Sequence, residues 1–178
     1  MSTPVIYIVG MPGSGKTTLA QKAAADLGWT QIDLDNLIEE QTQTTIAKLF
    51  AESEIRFRDA EETALRNMQV TSPTFISCGG GVVERAANRE FLMNQQVIYL
   101  DCPLEVLWNR VKHDNNRPLL SAADLEKRKL NLIELYVRRQ EWFKQVATLT
   151  IPVGDATLEE DTLVLEEAVN ELLKAKNA

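Results

Sequence analysis

Gly10, Gly15, Lys16 and Thr17 stand in the stretch GMPGSGKT with the spacing G-x-x-x-x-G-K-[ST]. The chain has only eight glycines, and three of them, Gly10, Gly13 and Gly15, fall within six residues. These residue types at this spacing make an anion nest. Glycine permits the backbone angles that turn successive N–H groups inward, and a helix starting at the loop adds its positive end. The lysine then reaches the β- and γ-phosphates of a nucleotide, and the threonine hydroxyl can ligate magnesium. Gly13, Ser14, Gly15, Lys16, Thr17 and Thr18 are the expected nucleotide contacts. Such a loop serves motors, GTPases and kinases alike. No N-K-x-D guanine motif occurs, which argues against a GTPase.

Three other clusters point to a second, small ligand. Asp33-Leu34-Asp35 ends a predicted strand. Alternate residues of a strand share a face, so both carboxylates are expected at one cleft, one towards magnesium and one receiving a hydroxyl proton. The plainer reading is an acidic turn that caps the next helix. Ser77-Cys78-Gly79-Gly80-Gly81 ends another predicted strand, where a run without side chains lets a ligand approach backbone amides. Its plainer reading is a tight strand-to-helix turn. Arg58 in RFRDAE, Arg117 in NNRPLL and Arg139 in RRQEWF supply guanidinium forks suited to carboxylate and phosphate. Taken singly, each arginine reads as surface charge.

These residues need elements to carry them, and strands and helices alternate along the chain. Predicted strands cover Val5 to Val9, Thr30 to Leu34, Thr74 to Cys78, Gln96 to Leu100 and Thr148 to Val153. Predicted helices cover Gly15 to Leu27, much of the stretch from the second strand to Met68, much of Val82 to Met93, and a segment opened by Pro103. Two more cover about Asp124 to Val146 and Thr157 to Lys174, the last opened by Thr157 and Glu160 at capping-box spacing. The polar stretch His113 to Ser121, broken by Pro118, reads as a loop. Alternation of this kind implies a parallel sheet with helices on both faces.

Bulk properties narrow the partners. At 178 residues one domain, 1–178, is expected. A net charge of −7 argues against general binding to nucleic acid or to an anionic membrane surface. Cys78 and Cys102 form no disulfide framework, and a single histidine, His113, makes a zinc site a poor fit. No signal peptide or membrane anchor is read at the N-terminus, so a cytoplasmic protein is expected, and a monomer.

The order and spacing of several motifs resemble the shikimate kinase family over about residues 5 to 153: GMPGSGKTT, IDLDNLIEE, IAKLFAESEIRFRDAE, SCGGGVV, VIYLDCPLEVLWNRV, NNRPLL and RRQEWFKQVATLTI. The resemblance implies an α/β, three-layer P-loop kinase fold with a five-stranded parallel sheet in the order 2-3-1-4-5, flanked by helices. It also implies a substrate-binding helical region at about 35–70 and a lid at about 113–123. The implied reaction is magnesium-dependent transfer of the ATP γ-phosphate to the 3-hydroxyl of shikimate, a step towards chorismate and the aromatic amino acids. ATP and shikimate are thus the expected partners.

Carried over by motif, Lys16, Asp35 and Arg117 are the implied catalytic residues. Arg110 lies against adenine, and Arg117 also meets ATP from the lid. Asp35, Arg58, Gly79, Gly80, Gly81 and Arg139 meet shikimate, and Thr17, Asp33 and Ser77 face magnesium. Two departures fall in the acceptor region. Glu141-Trp142-Phe143 stands where the family has Pro-Leu-Tyr, and Thr44 and Ser53 replace family glycines. Alignment on VAT selects Arg139 for the carboxylate, and neighbouring Arg138 is the alternative. Rival readings are a kinase for another small hydroxy acid such as gluconate, a nucleoside monophosphate kinase, or a silent ATP-binding protein.

Overall fold

Val5–Gly10 forms β1, a short run rich in β-branched residues whose side chains are buried on both faces. Burial on two faces is what a central parallel strand requires. It pairs in parallel with β3 (Thr74–Ser77) on one side and β4 (Gln96–Asp101) on the other. The outer strands are β2 (Thr30–Asp33), beside β3, and β5 (Leu149–Pro152), beside β4. The sheet therefore runs β2-β3-β1-β4-β5, as the resemblance implied. This computed structural model describes residues 3–114 and 124–177. Arg117 and most of the expected lid lie outside the described residues.

Helices fill both faces: α1 (Lys16–Leu27), α2 (Leu34–Thr42), α3 (Ile46–Glu52), α4 (Glu54–Asn67), α5 (Ala86–Leu92), α6 (Leu104–Val111), α7 (Leu125–Val146) and α8 (Leu158–Asn177). The core joins β1, β3 and β4 to Leu19, Ala23, Leu107, Leu132, Phe143 and Leu165, one or more from each of four helices. At the head of α8, Thr157 and Glu160 exchange the expected reciprocal bonds: Thr157 N donates to Glu160 Oε2 at 2.9 Å and Glu160 N to Thr157 Oγ1 at 3.3 Å.

Two expectations change. The second strand stops at Asp33, and Leu34 already belongs to α2. Within Val82 to Met93, much of which was expected to be helical, the helix covers Ala86–Leu92 and starts only after Arg85. The preceding residues turn instead, because side chains take the carbonyls a helix would use. Asn88 Nδ2 donates to Val82 O at 3.0 Å, and Arg89 Nη1 to Val83 O at 2.6 Å and Glu84 O at 3.0 Å. Among the described residues no helix is long and apolar enough to cross a membrane.

Candidate active site

The central strands end at a cavity of about 530 Å³. Crevices at the carboxyl ends of parallel strands, where the chain order diverges to either side, are the usual ligand sites of such sheets. The loop after β1 forms its floor. Gly13 and Gly15 take φ of 86° and 90°, a region L side chains rarely adopt. No side chain caps α1, so its leading N–H groups are available to an anion. Lys16, largely buried, donates through Nζ to Met11 O at 2.8 Å. Arg110 reaches across from α6 and donates to Gly13 O at 3.1 Å. Gly13 to Thr18, Asp33, Asp35, Gly79, Gly80 and Arg110 all line the cavity.

Asp33 and Asp35 reach this cavity by a route other than strand alternation. Asp33 is the last residue of β2 and the cap of α2. Its Oδ1 accepts from the N–H of Asp35 at 3.0 Å and of Asn36 at 3.2 Å. Asp35 stands in the first turn of the helix so capped. The second oxygen of Asp33 accepts from Thr17 Oγ1 at 2.7 Å and lies 3.2 Å from Ser77 Oγ. Sheet register explains the meeting, since Asp33 and Ser77 are direct partners across β2 and β3. Two hydroxyls and a carboxylate thus converge on one point, a set of hard oxygen donors.

Beside this cavity lie two arginines that are not surface charges. Arg58 is 6% exposed and Arg139 1% exposed. Arg58 Nη1 donates to Glu61 Oε2 at 2.8 Å and to Gly81 O at 3.1 Å, and its guanidinium carbon lies 4.9 Å from the Phe57 ring centre. Glu61 is fully buried. Burial raises its pKa and the Arg58 charge lowers it, and the net value is pushed up to about 7. Arg139 Nη1 donates to Gly80 O at 3.0 Å and its Nε to Glu84 Oε1 at 2.6 Å. Its neighbour Arg138 points outward, half exposed, and also donates to Glu84 Oε1. Arg58, Gly81 and Arg139 are not among the residues lining the 530 Å³ cavity; they stand behind its Gly79-Gly80 wall.

The glycine run makes room for protein as well as for any ligand. A Cβ on Gly79 would come within 2.7 Å of Asp35 Oδ1, on Gly80 within 2.7 Å of Pro12 Cδ, and on Gly81 within 2.5 Å of Arg58 Nη2. Three separate elements close on three successive residues.

Residues 12–175 match the shikimate kinase family. The chain belongs to the shikimate kinase family. Family membership makes it an ATP-dependent kinase, with the transferase chemistry and nucleotide binding that this entails. It is 36% identical over 157 residues to a shikimate kinase of Nostoc punctiforme, covering 88% of this chain and 84% of that one. With the Psychrobacter arcticus enzyme it shares 38% over 153 residues, 85% and 81% of the two chains. The solved shikimate kinase from Acinetobacter baumannii in complex with shikimate superposes with a TM-score of 0.87 at 33% identity, over 98% of this chain and 96% of that one. A gluconokinase from Sinorhizobium meliloti, 14% identical with a TM-score of 0.61 over 98% and 95% of the two chains, shares the fold alone.

Glu61, Glu84, Ala156, Leu158 and Asp161 were not singled out as site residues in the sequence. Glu61 had a signal, its i,i+3 spacing from Arg58 on one helix. Ala156, Leu158 and Asp161 line the cavity from the α8 end of the chain, far from every motif, and nothing local marks them.

Proposed function

We propose that this chain transfers the γ-phosphate of ATP to the 3-hydroxyl of shikimate, giving shikimate 3-phosphate on the route to chorismate. One observation carries the reading: the nucleotide loop, two carboxylates and two buried arginines meet around the Gly79-Gly80-Gly81 turn. Phosphoryl transfer is mostly positioning and charge stabilisation, and this arrangement supplies both. Gly13 to Thr18 cradle the phosphates, with Arg110 along the adenosine end. Lys16 turns from Met11 O to the β- and γ-phosphates. Asp35 orients the acceptor hydroxyl and takes its proton late. Arg58 and Arg139, with the Gly79–Gly81 backbone, hold the acceptor carboxylate and select an acid over a neutral sugar. Arg117 meets ATP from the lid and helps exclude water as a competing acceptor.

Magnesium fits the donor set. The ion keeps much of its water and binds through phosphates plus one or two protein groups. Thr17, Asp33 and Ser77 would hold it, directly or through water, and when bound it offsets charge on the phosphates. The enzyme's need for ATP suits the cytoplasm.

A coupled ADP assay with shikimate, quinate, gluconate and nucleoside monophosphates tests the reading. Shikimate should give the highest kcat/KM, with magnesium required. A preference for gluconate or a nucleoside monophosphate would overturn the substrate, and ADP release independent of any acceptor would overturn the kinase.

A further inference from the structure

Glu84 has no role in the mechanism above, yet it is built into the arginine pair. Its Oε1 accepts from Arg139 Nε and from Arg138 Nη2, both at 2.6 Å. Arg139 Nη1 is held at 3.0 Å by Gly80 O. A guanidinium is planar, so pinning two of its corners fixes the third. That third corner, Nη2, is buried and has no hydrogen-bond partner among the described residues. A buried donor without an acceptor costs free energy, so an acceptor oxygen placed there would be favourable.

We propose that Glu84 is a positioning residue for the acceptor's carboxylate. It locks Arg139 through Nε so that Nη2 is presented to the anion, and it ties Arg138 at the surface so that one arginine of the adjacent pair faces inward. The inference rests on the reading of Arg139 as a carboxylate ligand. Glu84 is itself held in place. Arg89 Nη1 donates to Glu84 O at 3.0 Å, and the Arg89 guanidinium lies 4.6 Å from the Trp142 ring centre. Trp142 stands on α7 three residues beyond Arg139, so one helix carries both the arginine and the ring that supports its anchor. This gives Trp142, a departure from the family pattern, a part in the same device.

Charge balance and positioning predict opposite signs. Removing Glu84 leaves two arginines and no counter-charge, which by Coulomb attraction alone should tighten an anion. If the carboxylate acts by orientation, its loss weakens the anion. Glu84→Ala should raise KM for shikimate about tenfold, the scale of one charge-assisted bond, while kcat and KM for ATP change less than about twofold. Glu84→Gln keeps an acceptor for Nε and should recover most of the loss. In an Arg139→Ala background, Glu84→Ala should change kcat/KM less than about twofold, because the residue it acts through is gone. If Glu84→Ala fails to fold by thermal melting, Glu84→Asp answers the question: it keeps the charge and shortens the reach, so positioning predicts a raised KM. An unchanged or lowered KM in Glu84→Ala or Glu84→Asp, or a full penalty persisting without Arg139, overturns the proposal. Wild type is measured first. Turnover of shikimate with an unresponsive Glu84 refutes this inference alone, and no turnover of shikimate refutes the substrate reading along with it.

Discussion

Lys16 Nζ is held 2.8 Å from Met11 O, within the loop that it is expected to serve. Lys16→Ala removes the cation that meets the transferring phosphates, so kcat should fall on the order of a hundredfold or more at any substrate concentration. Near-normal kcat in the coupled assay would remove Lys16 from the reaction. The two aspartates divide the labour differently from their sequence pattern. Asp33 caps α2 and accepts from Thr17, whereas Asp35 makes no cap. Asp33→Ala should therefore lower both turnover and stability, the latter by about 1 kcal/mol for a lost cap. Asp35→Asn should lose turnover with a Tm close to wild type. Calorimetry beside the assay separates them, and the reverse pattern would exchange their roles. Asp-Leu-Asp displayed both carboxylates in the sequence. Which one capped was illegible, because it depends on where a four-residue strand stops. The glycine loop was fully legible, because its chemistry lies within eight consecutive residues.

The turn after β3 is where elements meet, and its three glycines are not interchangeable. A Cβ on Gly80 would press on Pro12 of the nucleotide loop, coming within 3.0 Å of its backbone nitrogen. Backbone cannot easily give way, so Gly80→Ala should displace the loop and raise KM for ATP severalfold. Gly81 packs on the Arg58 guanidinium, the far end of a side chain held by Glu61. Gly81→Ala should displace that arginine and raise KM for shikimate severalfold while leaving KM for ATP near wild type. Initial-rate kinetics on both variants check the split, and equal effects on both substrates would mean that the turn moves as one body. The glycine run and its place after a strand were readable as a pattern. Its three neighbours were not, since they arrive from α2, the β1 loop and α4. The same applies to Glu84 and Arg139, which are 55 residues apart and meet only once α7 docks. Likewise Val82 and Val83 read as helix, but Asn88 and Arg89 take the carbonyls of this stretch.

At the scale of the molecule, alternation in the sequence implied a parallel sheet, while the strand order came from the family resemblance, because order is decided by long-range packing that no local pattern records. The folded chain also removes one carboxylate from solvent completely. Glu61 is fully buried beside Arg58, and its pKa is pushed up to about 7 from an ordinary 4.5 because burial outweighs the arginine. Between those values the folded chain holds a proton that the unfolded chain releases, so stability falls as pH rises through the window. Glu84 and Glu160 act in the opposite sense. Burial raises the Glu84 pKa but its two arginines outweigh it, and Thr157 lowers that of Glu160, so what these two contribute is lost as pH falls below the ordinary glutamate value. The two effects therefore occupy separate pH ranges. Urea unfolding at pH 5, 6, 7 and 8 should show the wild type losing on the order of 3 kcal/mol across the range, most of it by pH 7. Glu61→Gln does not titrate, so its stability should be nearly flat over the same range, even if the variant is less stable throughout for want of a full partner for Arg58. A wild type that gains stability from pH 5 to 7, or a Glu61→Gln profile parallel to wild type, would show that Glu61 is already ionised in the fold and that Arg58 outweighs burial.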